Sequence, residues 1–455
     1  MKTNTAIKTP APKTHEGATA ARINPEQQLR RVVLASMLFE DTFYLDGVSS
    51  AQIVEDSVQE VLKKKNGPQI VSDLAYETRT NGKLRHIPLF LALTLVRAGN
   101  KNTKLGEECR AVVAETLTKI IQRPDELAEF LALYWKDKKV PLSNQVKKGL
   151  AAAFQKFDRY SLSKYANREG SISLRDVLFL VHPRPLNSDQ QELWNELAEK
   201  KLVAPDTWES NLSAGADKKE TFIRLIEEKK LGALALLRNL RNMQQAGVPD
   251  DTIRKALSEM KTERVLPFRY ISAANYAPQL EPELEQAMYR SLKDHEKLSG
   301  KTVLLVDNSG SMGSPVSGRS QISRADAAQA LAMLVREISE TSEVIVFGTT
   351  AGSIPPRRGF ALRDAVRHSQ HGGGTNTEVA KKLADKVGYD RLIIFTDEQS
   401  HQALSAPKEG SKAYVINVAA YQNGVGYGKW VHIDGFSEAA VDFIQQYEKE
   451  KNELA

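Results

Sequence analysis

The chain has 455 residues, 41% of them hydrophobic, enough for two or three packed domains. A single cysteine, Cys109, excludes an internal disulfide and points to a reducing compartment, and the longest apolar run, residues 87–96, is far too short to span a bilayer. The formal charge is +6, yet residues 299–455 carry 17 Lys+Arg against 18 Asp+Glu, so the basic excess belongs to the first 298 residues.

Such a modest excess favours nucleic acid only where it gathers on one face. The N-terminus has charge but no apolar core of a secretory signal, so a soluble cytoplasmic protein is expected. Residues 1–22 are rich in Thr, Ala, Lys and Pro and are expected to be a disordered polar arm. Order is predicted to begin at Asn24-Pro25, where Asn can cap a helix and Pro suits its first position.

From there to about residue 295 helix follows helix, and no segment alternates like a strand. Apolar stripes run through Leu29, Val32 and Val33, then through Ile53, Val54, Val58, Val61 and Leu62. Further helices are predicted over 89–96 and 107–121, from Pro124 to Trp135, and after Ser143. Many medium helices on short loops predict stacked helix pairs, an α-solenoid with degenerate repeats.

Three phrases in this region carry more than helical period. The first runs from Lys164 to Pro183. Lys164 and Arg168 share a face if helical, Gly170 breaks the helix, and Ser173 can cap the next. Leu174, Val177, Leu178 and Val181 form its buried stripe, and His182 ends it. The second is Leu231 to Met243, an apolar helix leading into Arg238-Asn239-Leu240-Arg241-Asn242. Buried Asn and Arg require partners, so a polar network at a helix junction is expected. The third is Leu266-Pro267-Phe268-Arg269-Tyr270.

The last third changes character. Residues 303–306 are a continuous apolar run, the pattern of a buried parallel strand. It ends in Asp307-Asn308-Ser309-Gly310-Ser311, followed by a predicted helix over 324–338. A second run, Arg391 to Thr396, ends in Asp397. Between them lies Gly372-Gly373-Gly374-Thr375-Asn376-Thr377, a hydroxyl-bearing loop before a helix. Oxygen ligands at the carboxyl ends of strands suit a hard cation such as Mg2+.

This segment resembles the von Willebrand factor A domain with its metal-ion-dependent adhesion site. The resemblance implies Ser309, Ser311 and Thr375 as direct ligands, with Asp307 and Asp397 as ligands or acting through water. Thr377 is an alternative to Thr375. The implied cofactor is Mg2+ or another divalent cation.

The three helical phrases, with Gly170-x-x-Ser173-x-Arg175-Asp176 and His182-Pro183 foremost, resemble the TROVE module. Followed by an A domain, the whole resembles the Ro autoantigen family in a bacterial form. The resemblance implies a mainly α chain plus an α/β domain: an arm over 1–22, a ring of HEAT-like helical repeats over 23–298, and a doubly wound A domain over 299–455. It also implies a non-catalytic RNA-binding scaffold. Small non-coding Y RNA would bind outside, and single-stranded ends of misfolded RNA would bind in a basic channel. A tie to the exonuclease polynucleotide phosphorylase is implied too, with a monomeric protein subunit and no membrane partner.

On the same resemblance, Lys164, Arg168, Arg175 and His182 are the expected phosphate and base contacts. Without it, a Lys/Arg/His set on a helical protein is a solvated face. No nucleophile–base pair and no zinc spacing argues for an enzyme. The rival reading is a metal-dependent protein-adhesion module to which RNA is secondary.

Overall fold

The computed structural model describes residues 13–14, 17–20, 24–35, 41–42, 45–82, 84–166, 170–262, 265, 268–293, 295–316, 322–419, 424–435 and 439–453. Arg168 lies outside the described residues. In chain order the elements begin with α1 (Pro25–Ala35) and the hairpin strands β1 (Asp41–Thr42) and β2 (Leu45–Ser49). Helices α2 (Ser50–Leu62), α3 (Gly67–Thr80), α4 (His86–Gly99), α5 (Lys104–Ile120), α6 (Pro124–Tyr134) and α7 (Asn144–Phe154) follow. Then come α8 (Arg159–Ala166), α9 (Leu174–Val181), α10 (Ser188–Ala198), α11 (Trp208–Ser213) and α12 (Lys218–Glu227). A second run comprises α13 (Ala233–Gln245), α14 (Asp250–Glu259), α15 (Phe268–Tyr276) and α16 (Glu281–Ser291). The remainder is β3 (Leu298–Asp307), α17 (Arg324–Ile338), β4 (Ser339–Phe347), β5 (Ala351–Ser353), α18 (Gly359–His368), α19 (Thr377–Val387), β6 (Arg391–Thr396), β7 (Lys412–Asn417), β8 (Val431–Asp434) and α20 (Ala439–Glu453).

The chain divides into two compact units, residues 51–231 and residues 1–50 with 232–455. The first is helical throughout. Helix starts follow the local chemistry: the Thr103 hydroxyl accepts from the Gly106 N–H at 3.1 Å, and Pro124 opens α6. Helix α4 is apolar nearly all round and lies buried, with α3, α5 and α6 packed on it. The stack continues from α5 to α7 and from α7 to α9, as expected of helical repeats. A buried ion pair, Arg79 Nη2 to Glu126 Oε1 at 2.7 Å, ties α3 to the start of α6.

The second unit is built on a six-stranded sheet of order β5-β4-β3-β6-β7-β8. All pairings are parallel except that of β5 with β4. Residues 303–306 have no exposure, as a strand covered on both faces requires. Helix α17 packs against β3, β4 and β6, while Ala380 and Ala384 of α19 join the core made by Val303, Leu305, Ile345, Phe347, Ile394 and Val415. The chain leaves β3 for β4 on one side and returns through β6 on the other. The carboxyl ends of β3 and β6 therefore flank a topological switch point.

The observed packing adds to the sequence reading at three places. The compact units do not divide where helix gives way to sheet near residue 298. Helices α15 and α16 pack on α17 and α18, the Glu285 carboxylate accepts from the Phe360 N–H at 2.8 Å, and Arg363 pairs with Glu281 at 2.8 Å. Of residues 1–22, Lys13 bridges to Thr19, and Thr14, Ala18 and Ala20 are buried. The hairpin β1–β2 stands where only helix was expected; it is too short for a period to show.

No helix among the described residues is long and apolar enough to cross a membrane. A close contact between α7 and α5 identifies a sensitive position. A Cβ on Gly149 of α7 would stand 2.9 Å from the Ala114 carbonyl oxygen and 2.9 Å from the Leu117 Cβ of α5. Gly149→Val is expected to destabilise the helical unit by about 2–3 kcal/mol, measured by denaturant unfolding.

Candidate functional site

Asp307 and Asp397 stand at the carboxyl ends of the neighbouring strands β3 and β6, because Val306 and Phe395 are in register. Both acids are fully buried. The Asp307 carboxylate accepts from the Ser309 N–H at 2.9 Å and, on its other oxygen, from the Thr396 hydroxyl at 2.6 Å. The Ser311 hydroxyl donates to Asp397 Oδ2 at 2.5 Å, and the Ser309 and Ser311 hydroxyl oxygens are 3.4 Å apart. The glycine loop approaches from a third side. The Gly310 N–H donates to the Gly373 carbonyl at 2.9 Å, and the His401 N–H donates to the Thr375 carbonyl at 2.8 Å.

Thus Asp307, Ser309, Ser311 and Asp397 converge, and the loop bearing the buried Thr375 is pinned to both strand ends. Thr377 begins α19, with its hydroxyl enclosed and without a hydrogen bond.

The electrostatics are unfavourable as they stand. Burial, and then the charge of Asp397, push Asp307 up to about 7. Burial likewise raises Asp397, although the Ser311 hydrogen bond, the Gln399 N–H and Arg324 oppose the rise. Two enclosed acids with hydroxyls between them fit a hard divalent cation. Among the described residues no group of three or more His, Cys, Asp or Glu is placed for a metal. The fit therefore rests on mixed carboxylate and hydroxyl oxygens.

Sequence reasoning missed the second layer of this site. Thr396 is one residue before Asp397 in a buried strand, and a buried hydroxyl there needs a partner, which was the available signal. Arg324, whose Nη1 donates to the Ser311 carbonyl at 3.3 Å, sits at the start of the helix that follows the loop. Glu398 is wholly buried between Arg31 and His432. Arg31 and His432 lie far from it in sequence, and nothing local announces them.

The RNA-type residues lie in the helical unit. Ser173 caps α9 as expected, in a box where its hydroxyl accepts from the Asp176 N–H at 3.1 Å and Asp176 accepts from the Ser173 N–H at 2.8 Å. Leu174, Val177 and Val181 face the core. Arg175, Phe179 and His182 are exposed on the opposite side, at i, i+4 and i+7. The Arg175 guanidinium lies 5.2 Å from the centroid of the Phe179 ring, and its Nε donates to the Ala198 carbonyl at 2.7 Å. His182 ends the helix with φ 46°, in the left-handed region. Lys164 is exposed on α8, 3.8 Å from Glu209.

Phe179, 50% exposed, was not anticipated; an aromatic on the polar side of an amphipathic helix was the signal. In the second phrase, Asn239 is buried and donates to the Ala235 carbonyl, and Asn242 donates to Asn239, each at 2.9 Å. Arg238 and Arg241 are exposed, so the expected network is one of asparagines, with Arg241 lying 5.9 Å from the Tyr276 ring.

Comparison with known proteins fits both regions. Residues 194–317 match the TROVE domain, and residues 301–420 match the Ro60 vWA domain. The crystal structure of the Deinococcus radiodurans RO (RSR) protein superposes with a TM-score of 0.58 at 16% identity, covering 92% of this chain and 98% of that one, a likeness of fold. Telomerase protein component 1 of Mus musculus is 33% identical over 90 residues, and that of Rattus norvegicus 32% over 90. Each match covers 18% of this chain and 3% of the relative, so the chain spans only a small part of the length of these curated relatives.

The buried acids give a stability prediction. An acid whose folded pKa lies above its unfolded value binds its proton more tightly when folded, so stability falls as pH rises from about 4 to about 7 and then levels off. In chelator at pH 7.5, Asp307→Asn is expected to raise unfolding stability by on the order of 1–3 kcal/mol and to flatten that pH slope. Denaturant titrations of both proteins across pH 4–8 measure this.

Proposed function

We propose, from the premise that the chain belongs to the Ro family, that it is a non-catalytic RNA-binding scaffold of a ribonucleoprotein. The observation that carries this is the exposed face of α9, where Arg175, Phe179 and His182 are presented together. Arg neutralises phosphate, an aromatic ring stacks a base whatever its identity, and a neutral imidazole hydrogen-bonds a base edge. Lys164 adds charge from α8. The RNA suited to such a face is unpaired: a loop of a small structured Y-type RNA, or the single-stranded end of a misfolded one. Recruitment of a decay enzyme such as polynucleotide phosphorylase would follow through the bound RNA, with the chain acting as a single cytoplasmic protein subunit.

The same reading assigns a divalent cation, Mg2+ foremost, to Asp307, Ser309, Ser311, Thr375 and Asp397. When bound, the cation would offer an open position to an acidic side chain of a protein partner. The residues of this chain hold the loop and its hydroxyl oxygens, and the buried acids favour a cation over an empty pocket. This observation favours a protein-adhesion role for the A domain alongside RNA binding. Asp307→Ala separates the two: RNA retention should persist while a magnesium-dependent protein partner is lost.

RNA affinity should fall with salt at a slope of roughly −0.7 per neutralised phosphate. Phe179→Ala is expected to weaken binding of a single-stranded RNA by about 5- to 100-fold without changing that slope, because stacking carries no counterions. Arg175→Ala should weaken binding and make the slope shallower. Mobility-shift titrations at several salt concentrations decide. Salt-independent binding, or full affinity in both variants, would sink the reading, as would magnesium-dependent shortening of the RNA by the pure protein.

A further inference from the structure

The loop after β6 is held by residues almost a full chain length away. Helix α1 buries Arg31 completely, and its Nη1 donates to Glu398 Oε2 at 2.7 Å and to the Tyr427 hydroxyl at 3.2 Å. Glu398 directly follows Asp397 and has φ 61°, a left-handed backbone that a glutamate adopts only when its surroundings impose it. Its other oxygen is 2.6 Å from His432 Nε2, and His432 Nδ1 is 3.4 Å from Asp434 Oδ2. The Tyr427 ring stacks on His432 at 3.9 Å. Gly424 and Gly426 close the cradle; a Cβ on either would collide with the Glu398 carboxylate.

A second tie grips the same loop three residues beyond Asp397. The Thr14 hydroxyl donates to the Ser400 carbonyl at 2.9 Å. The Ser400 hydroxyl in turn accepts from the Thr377 N–H at 3.3 Å and donates to the Thr375 carbonyl at 3.4 Å. Within residues 397–401, Glu398 and Ser400 are therefore held by Arg31 and Thr14.

A buried ion pair is a poor way to gain stability, since desolvation offsets its attraction. This one is not optimised for stability, because Arg31 Nε and Nη2 are buried without hydrogen-bond partners. In some proteins such a pair is retained because it selects one arrangement over near alternatives. The arrangement selected here is that of the residue after Asp397.

We propose that Arg31, with Thr14, positions the loop 397–401 for cation binding by Asp307, Ser309, Ser311, Thr375 and Asp397. This rests on the cation reading above. Arg31 touches no cation; it acts through Glu398 and the backbone of its neighbour. Glu398 sets the orientation of that backbone, and Asp397 inherits it. A ligand oxygen displaced by an ångström no longer closes a small, rigid coordination shell.

The test measures Mn2+ affinity by calorimetry and amide exchange of residues 397–401 in chelator, on the full chain. Arg31→Met is expected to weaken Mn2+ about tenfold and to speed exchange in the loop, with Arg31→Lys recovering part of both. Thr14→Val should weaken affinity about two- to threefold. Arg31→Met removes one of the two bases that face Glu398 in the interior and could unfold the unit. The double variant Arg31→Met with Glu398→Gln, neutral on both sides, keeps the test open, and it too should bind Mn2+ about tenfold more weakly while folded. If the folded double variant binds Mn2+ within twofold of the parent and exchanges at the parent's rate, the positioning role is overturned and the cation reading stands. If the parent itself binds no Mn2+, the cation reading falls and this role falls with it.

Discussion

Everything in the sheet-bearing unit depends on two carboxylates being held out of water beside one another. Asp307 and Asp397 end adjacent parallel strands, and the register of β3 with β6 makes their proximity unavoidable. Taking two like charges into a dry interior is costly unless something answers them. The structure answers locally with donors: the Ser309 N–H, the Thr396 hydroxyl, the Ser311 hydroxyl and the Gln399 N–H. These satisfy oxygens but bring no net charge. The switch point between β3 and β6 is therefore a place where the fold concentrates negative potential, and that follows from strand order before any ligand is considered.

The strands and helices of this unit were legible because burial on both faces leaves a crude pattern. Residues 303–306 and 391–396 are apolar runs ended by acids, and each became a central strand. Helix starts at Ser143, Ser173 and Ser323 were fixed by short-range capping, which sequence displays within four residues. The convergence of Asp307, Ser309, Ser311 and Asp397 was legible for the same reason, since each lies within a few residues of a strand end. What escaped was whatever depends on packing between distant segments. Nothing near Glu398 foretells Arg31 or His432, and nothing in residues 13–20 foretells burial beside a metal-type loop. Phe179 escaped for another reason: an exposed aromatic breaks the amphipathic pattern, and the expected buried stripe was Leu174, Val177, Leu178 and Val181, of which Leu178 is only half-buried.

The two regions of interest use opposite physics. The α9 face works in water, where Arg175 and His182 are exposed and a charge contact is screened by salt. Its discriminating element is then the apolar ring of Phe179, whose stacking is insensitive to ionic strength. The acid site works away from water, where a charge is neither screened nor free. Exposed charge suits a ligand that arrives, slides and leaves, while enclosed charge suits an ion that stays and a geometry that must not drift. That division is what the proposed reading requires of the two units: exchangeable contacts on one and a fixed attachment through the other.

The N-terminal ties add a constraint in time. Arg31 and Glu398 are separated by 367 positions, and Thr14 and Ser400 by 386. Loop-closure entropy grows only logarithmically with length, so such separations are tolerable at equilibrium. Kinetically they are different, because α1 is made first and its partners on the β6 loop and β8 are made last. Until β8 supplies His432, Glu398 lacks one of its two bases, and until Glu398 exists Arg31 has no acid to answer it. A guanidinium cannot be buried alone, so α1 has no reason to dock before the sheet is finished. The loop carrying Asp397 consequently has its full set of contacts only when α1 and β8 are both in place.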